Sequence, residues 1–260
     1  MMREFESDRI VIKVGTSTLT DQKGDLDLAR IARLTQVIAK LKKEGKQVIL
    51  VTSGAIGVGC AKLKLAKRPT LIPEKQAAAA VGQSLLMGVY DKYFSMDDLA
   101  VGQILITKDC IEHTRRYGNA INTLNALLNL NVIPIVNEND TVAIDEIIFG
   151  DNDTLSAYVA TMVNANLLII LSDIDGLYDK DPRERDAVLI SEVDQITEEI
   201  KSAAGGASST VGTGGMATKL QAVSIAAQNG TKTIIMNGNQ PEKLAQVLAG
   251  EVIGTYFNLL

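Results

Sequence analysis

The sequence predicts a three-layer αβα sandwich around a mostly parallel central sheet, and three observations carry that expectation. Short apolar runs recur at 9–15 (RIVIKVG), 47–51 (QVILV), 99–106 (LAVGQILI), 131–136 (NVIPIV), 166–171 (NLLIIL) and 232–236 (KTIIM). Segments of helical period lie between several of them. The runs are nearly continuous in apolar residues, as strands are when helices cover both faces of their sheet.

The first run carries Lys13 and ends in Gly15-Thr16-Ser17. A lysine inside an apolar strand is costly to bury unless an anion pairs with it, and a neighbouring glycine lets a ligand approach the backbone. A lysine snorkelling from an edge strand is the alternative. Ile31, Leu34, Ile38 and Leu41 then recur at 3-4-3 spacing, one face of a helix. The second strand runs into TSGAIGVG at 52–59, where a small hydroxyl and glycines open a helix whose unpaired N–H groups suit carboxylate or phosphate. Ser53 reads equally as a plain N-cap, with Gly57 and Gly59 serving close helix packing.

KLKLAKRP at 62–69 reads as a solvated helix end. PEKQAAAAVGQSLLMGVYDKYF at 73–94 reads as an apolar helix suited to a dimer contact, so a homo-oligomer is expected. After the run at 131–136 come Asn137-Glu138-Asn139-Asp140, and GDND at 150–153 precedes a helix marked by Leu155, Val159 and Met162. Either Asn152 or Asp153 would suffice as a cap. Two such clusters also suit holding an ammonium group, or orienting lysines and a metal.

The run at 166–171 leads into Ser172-Asp173. Asp173, Asp175 and Glu184 fit positions 1, 3 and 12 of a calcium loop, but Leu177 and Tyr178 at positions 5 and 6 exclude an EF-hand. Asp173 stays a site candidate. The Gly/Ser/Thr-rich segment 204–215 reads as a loop inside a single domain, residues 1–260, before a helix marked by Leu220, Val223, Ile225 and Ala226. Gly212 to Ala217 satisfies the pattern GxGxxG/A, yet no strand directly precedes it. A Walker A loop fails too, because Lys219 does not follow a glycine and Leu220 stands where Ser or Thr belongs. Backbone N–H donors, the hydroxyls of Thr213 and Thr218, and Lys219 at a helix start together fit a polyphosphate.

Composition narrows the classes. A 46% hydrophobic content supplies a core, and a net charge of −5 without clustered lysine and arginine argues against nucleic acid. No apolar run reaches the roughly 18–20 residues of a membrane span, and the N-terminus lacks the parts of a signal peptide, so a cytoplasmic protein is expected. Cys60 and Cys110 have no CxxC spacing and read as small buried hydrophobes, without disulfide or zinc. The single histidine, His113, rules out an all-histidine metal centre.

VIKVGTSTLT (11–20), VTSGAIGVG (51–59), KQAAAAVGQ (75–83), NENDTVA (137–143), GDNDTLSA (150–157), LSDIDGLYDKDPR (171–183) and GTGGMATKLQAV (212–223) together resemble the glutamate 5-kinases of the amino acid kinase superfamily, in order and spacing. The resemblance implies the amino acid kinase fold. It implies transfer of the γ-phosphoryl group of ATP, with Mg2+, to the side-chain carboxylate of L-glutamate as the first step of proline synthesis, with proline a feedback inhibitor. Lys13 and Lys219 would contact the ATP phosphates and stabilise the transferring group, and Asp153 would orient the lysines. Ser53, Asp140 and Asn152 would bind glutamate. Ser172, Asp173 and the loop residues Thr213, Gly214, Gly215, Met216, Ala217, Thr218 and Lys219 would bind the nucleotide. Many bacterial members continue into a C-terminal PUA domain; this chain stops at GTYFNLL and resembles the short form. Sister kinases acting on N-acetylglutamate, aspartate or carbamate, and a non-catalytic nucleotide sensor, are the rival readings.

Overall fold

A computed structural model describes residues 2–3, 6–21, 24–142, 152–205 and 215–259. In chain order the elements are β1 (Arg9–Val14), α1 (Thr16–Leu19), α2 (Leu28–Lys43), β2 (Gln47–Val51), α3 (Ala55–Lys62), α4 (Ile72–Phe94), β3 (Val101–Ile106), α5 (Lys108–Glu112), α6 (Thr114–Asn129) and β4 (Ile133–Glu138). They continue with α7 (Asn152–Met162), β5 (Leu167–Ser172), β6 (Glu192–Val193), α8 (Glu198–Gly205), α9 (Met216–Ala227), β7 (Lys232–Asn237), α10 (Lys243–Leu248) and β8 (Thr255–Phe257).

The strands form one sheet in the order β3-β4-β2-β1-β5-β7-β8-β6. All pairs are parallel except β7 with β8. Side chains alternate across the pleat, and the core divides accordingly. Ile10 and Ile12 of β1, Leu50 of β2 and Ile169 of β5 pack beneath α2, α4 and α10. Val11, Ile49, Val51, Leu168 and Ile170 pack beneath α6, α7 and α9. This is the expected sandwich.

Three expected strands, β3, β4 and β5, begin one or two residues later than their apolar runs. The run at 131–136 becomes a strand only from Ile133, because Asn131 adopts a left-handed conformation with φ +60° that ends the preceding helix. The strand therefore extends to Asn137 and Glu138, which the run did not include. The short strands β6 and β8 had no apolar run to announce them. Cys60 and Cys110 are free and only half-buried, short of the fully buried position expected of them. Lys62, Lys64, Lys67 and Arg68 are exposed at and beyond the end of α3, as a solvated helix end requires.

Helices α3 and α4 meet backbone to backbone. A Cβ on Gly59 would lie 1.8 Å from the Ala78 carbonyl oxygen, and one on Gly82 1.8 Å from that of Ala55. Only glycine permits that approach. Among the described residues no helix is long and apolar enough to cross a membrane.

Candidate active site

Parallel strands bring their carboxyl ends to one edge, so the polar residues at 13–17, 52–54, 137–140 and 172–173 gather there. Lys13 follows Val11 on the face beneath α7 and α9. Its strand is flanked by β2 and β5, so snorkelling from an edge is excluded, and Lys13 is only 5% exposed. Its counter-charge is Asp153, the second residue of α7 and fully buried. Lys13 Nζ lies 2.5 Å from Asp153 Oδ1, and Lys219 Nζ, from the first turns of α9, lies 3.0 Å from Oδ2. One buried carboxylate thus gathers two ammonium groups at the strand ends. Ammonium groups are costly to bury without anionic partners, and two held side by side suit a phosphate as a further one.

Further donors surround that centre. Gly215 precedes α9 and supplies no side-chain cap, so the N–H groups of Met216, Ala217 and Thr218 at the start of this 12-residue helix are the ones a phosphate would engage. The Thr218 hydroxyl donates to the Gly215 carbonyl at 2.7 Å, so its proton serves the turn itself. A Cβ on Gly15 would lie 3.5 Å from Lys13 Nζ, so the glycine keeps the space beside the ammonium open. Ser172 is buried at the end of β5, its hydroxyl donating to Asp173 Oδ1 at 3.2 Å, while Asp173 is exposed. Thr213 and Gly214 lie outside the described residues, as do 143–151 and the rest of the loop at 206–214.

Asn152, next to Asp153, faces the ends of other strands. Its Nδ2 donates to the Thr52 carbonyl at 2.7 Å and to Asn137 Oδ1 at 2.8 Å, and lies 2.9 Å from Ser53 Oγ. Asn137 Nδ2 in turn donates to Gln83 Oε1 on α4 at 2.8 Å. Ser53 is not the N-cap of α3; that place is held by Gly54 at φ +93°, a conformation that favours glycine. The Thr52 hydroxyl meets the Tyr90 hydroxyl at 2.8 Å, and burial pushes the Tyr90 phenol far above its ordinary pKa, with the bond to Thr52 acting the other way. Asp140 sits in the turn beyond β4, partly exposed.

A model of the amino acid kinase family matches residues 8–237. The chain belongs to the amino acid kinase family. This family member is 54% identical over 257 residues to the glutamate 5-kinase of Clostridium perfringens, covering 97% of this chain and 96% of that one. It is 52% identical over 263 residues to the glutamate 5-kinase of Listeria monocytogenes serovar 1/2a, covering 98% and 95%. Among solved structures, carbamate kinase from Giardia lamblia bound to AMP-PNP superposes with a TM-score of 0.70 at 16% identity, covering 98% of this chain and 99% of that one. UMP kinase from Ureaplasma parvum follows with a TM-score of 0.67 at 14% identity, over 97% and 99%. At those identities the two structures speak for the fold alone.

In this amino acid kinase five of the predicted residues fall into two groups joined at one peptide bond. Lys13, Asp153 and Lys219 form the charged centre, and Ser53 with Asn152 forms a polar cradle beside it. The sequence reading left Thr52, Gln83, Tyr90 and Asn137 out of its site. One signal was available for Gln83: it stands in an otherwise small and apolar stretch, AAAAVGQSLL, on a face that also carries Ala79, Leu86 and Tyr90. A glutamine buried there must find hydrogen-bond partners.

Proposed function

We propose that this chain transfers the γ-phosphoryl group of ATP to the side-chain carboxylate of L-glutamate. The observation that supports it most directly is Asp153 held between Lys13 and Lys219, one residue from the Asn152 and Ser53 cradle. The likeness to glutamate 5-kinases over nearly the full chain supports the choice of acceptor.

The acceptor carboxylate, with an ordinary pKa of ~4.3, is already ionised at neutral pH and needs no general base. A single histidine is therefore no handicap. The obstacle is electrostatic: unit charges 4 Å apart repel by about 4 kcal/mol at an effective dielectric near 20. Lys13 and Lys219 offset that repulsion and stabilise the charge that spreads over the transferring group. Asp153 fixes both ammonium groups before the nucleotide arrives, so little reorganisation is left for the reaction itself. Asn152, Ser53 and Asp140 would hold glutamate, with Ser172, Asp173 and the residues leading into α9 taking the nucleotide.

Among the described residues no three of His, Cys, Asp and Glu gather to cage a metal, and Asp153 contacts both lysines. That donor set fits Mg2+ carried on the triphosphate, where phosphate and water supply most ligands. Bound in that way it would supply neutralisation of phosphate charge beside Lys13 and Lys219.

The test is incubation with ATP, Mg2+, hydroxylamine and one candidate acceptor, following the hydroxamate that traps an acyl phosphate. Product from L-glutamate, but not from N-acetylglutamate or aspartate, is expected. ATP binding with no hydroxamate from glutamate would overturn the proposal.

A further inference from the structure

The side chains behind the cradle form a chain of amides, and two backbone groups identify which atom of each asparagine is nitrogen and which is oxygen. Asn152 presents an atom 2.7 Å from the Thr52 carbonyl, which only accepts, so that atom is the nitrogen. Asn137 presents an atom 2.9 Å from the Glu138 N–H, which only donates, so that atom is the oxygen. Asn137 Oδ1 therefore also accepts from Asn152, while Asn137 Nδ2 points away from the cradle and needs a buried acceptor. Gln83 Oε1 is that acceptor, at 2.8 Å. Gln83 Nε2 continues the chain to Gln103 Oε1 at 3.3 Å.

Asn152 Nδ2 has two hydrogens for the three acceptors around it, so its donor end is fully occupied. The end left for a ligand is Oδ1, which takes no hydrogen bond from the described residues. An acceptor there suits a donor on the substrate.

We propose that Gln83 is a positioning residue that, through Asn137, holds the Asn152 amide with its oxygen toward the substrate, so that the site selects an acid bearing a free ammonium group. The inference rests on glutamate being the acceptor. An ammonium carries three N–H donors, so Asn152 Oδ1 and the Asp140 carboxylate can share it. A dicarboxylate without the amine gains nothing from this orientation.

The experiment compares Gln83→Met, of similar length but unable to accept from Asn137, with Gln83→Glu, which keeps an acceptor oxygen. KM and kcat for L-glutamate, KM for ATP, and the inhibition constant of glutarate, which is glutamate without its amine, are read for each. Gln83→Met is expected to raise KM for glutamate on the order of tenfold. Its kcat, its KM for ATP and its glutarate inhibition should stay within about threefold of the parent, while Gln83→Glu, which keeps the acceptor for Asn137 and loses only the donor to Gln103, should recover most of the loss in KM for glutamate. Equal losses in both variants, an unchanged KM in Gln83→Met, or a parallel loss of glutarate binding would overturn the proposal. If either variant is recovered only as aggregate, Gln83→Leu and Gln83→His make the same comparison, the neutral ring supplying an acceptor nitrogen. An inactive parent chain would instead count against glutamate as acceptor, which separates the two failures.

Discussion

Replacing Asp153 by asparagine keeps the outline of the side chain and removes its charge. Lys13 and Lys219, at 5% and 6% exposure, would then face each other across a neutral amide. At the observed separations of 2.5 and 3.0 Å, each Coulomb contact is worth about 6 kcal/mol at an effective dielectric near 20. Desolvation of the buried groups offsets much of this, and removing one member of a buried charge cluster costs about 3–5 kcal/mol in stability. That is a large share of the roughly 5–15 kcal/mol that holds a typical domain together. A triphosphate would now be the missing anion, so saturating ATP should raise the stability of Asp153→Asn more than that of the parent. Misplaced lysines should lower kcat on the order of 100-fold to 1000-fold. Urea denaturation with and without ATP reads the first two quantities, and the hydroxamate assay reads the third. A loss of stability under about 1 kcal/mol together with kcat within about threefold would refute a structural and catalytic role for this carboxylate.

Lys219→Met should lower kcat on the order of 100-fold while KM for glutamate moves by no more than a few-fold, because in the proposed mechanism the lysine meets the phosphoryl group and not the acceptor's far end; steady-state kinetics decides it. Gly59→Ala should destabilise by about 1–3 kcal/mol despite alanine's better helix propensity, since its methyl would collide with the Ala78 carbonyl at 1.8 Å; a denaturation midpoint no lower than the parent's contradicts this. Tyr90→Phe concerns pH. Burial raises the native phenol's pKa, so the unfolded chain releases this proton first, at about pH 10. The contribution is complete below that pH and is lost as pH rises from there toward the raised native value, by up to about 1.4 kcal/mol per unit. Between pH 9 and 11 the parent should therefore lose stability more steeply than Tyr90→Phe, and equal slopes would count against the assignment.

Much of the architecture was legible in the sequence because burial on both sides of a parallel sheet leaves its strands as apolar runs. Lys13 stood out for the same reason, as a charge in a strand otherwise given to apolar residues. The antiparallel pairing of β8 with β7 was not legible, since Thr255 to Phe257 is too short a strand to show a pattern. Nor was the support for Asn152. Asn137 and Gln83 are 54 residues apart and meet only because α4 returns over the sheet, pressed against α3 through Gly59 and Gly82. Local periodicity carries no record of such a contact. The distinction between Ser53 as a helix cap and Ser53 as part of the cradle likewise depended on Gly54 being left-handed and on the position of Asn152, 99 residues away.

The adjacency of Asn152 and Asp153 has a mechanical consequence. Consecutive Cα atoms are held about 3.8 Å apart by a planar peptide, so the cradle and the charged centre share one fixed datum. A thermal displacement of the start of α7 carries both along together, and the alignment error between them largely cancels. Two anchors mounted on separate loops would add their errors instead. For a reaction that requires an oxygen to meet a phosphorus along one line, that shared mounting sets the tolerance of the whole machine.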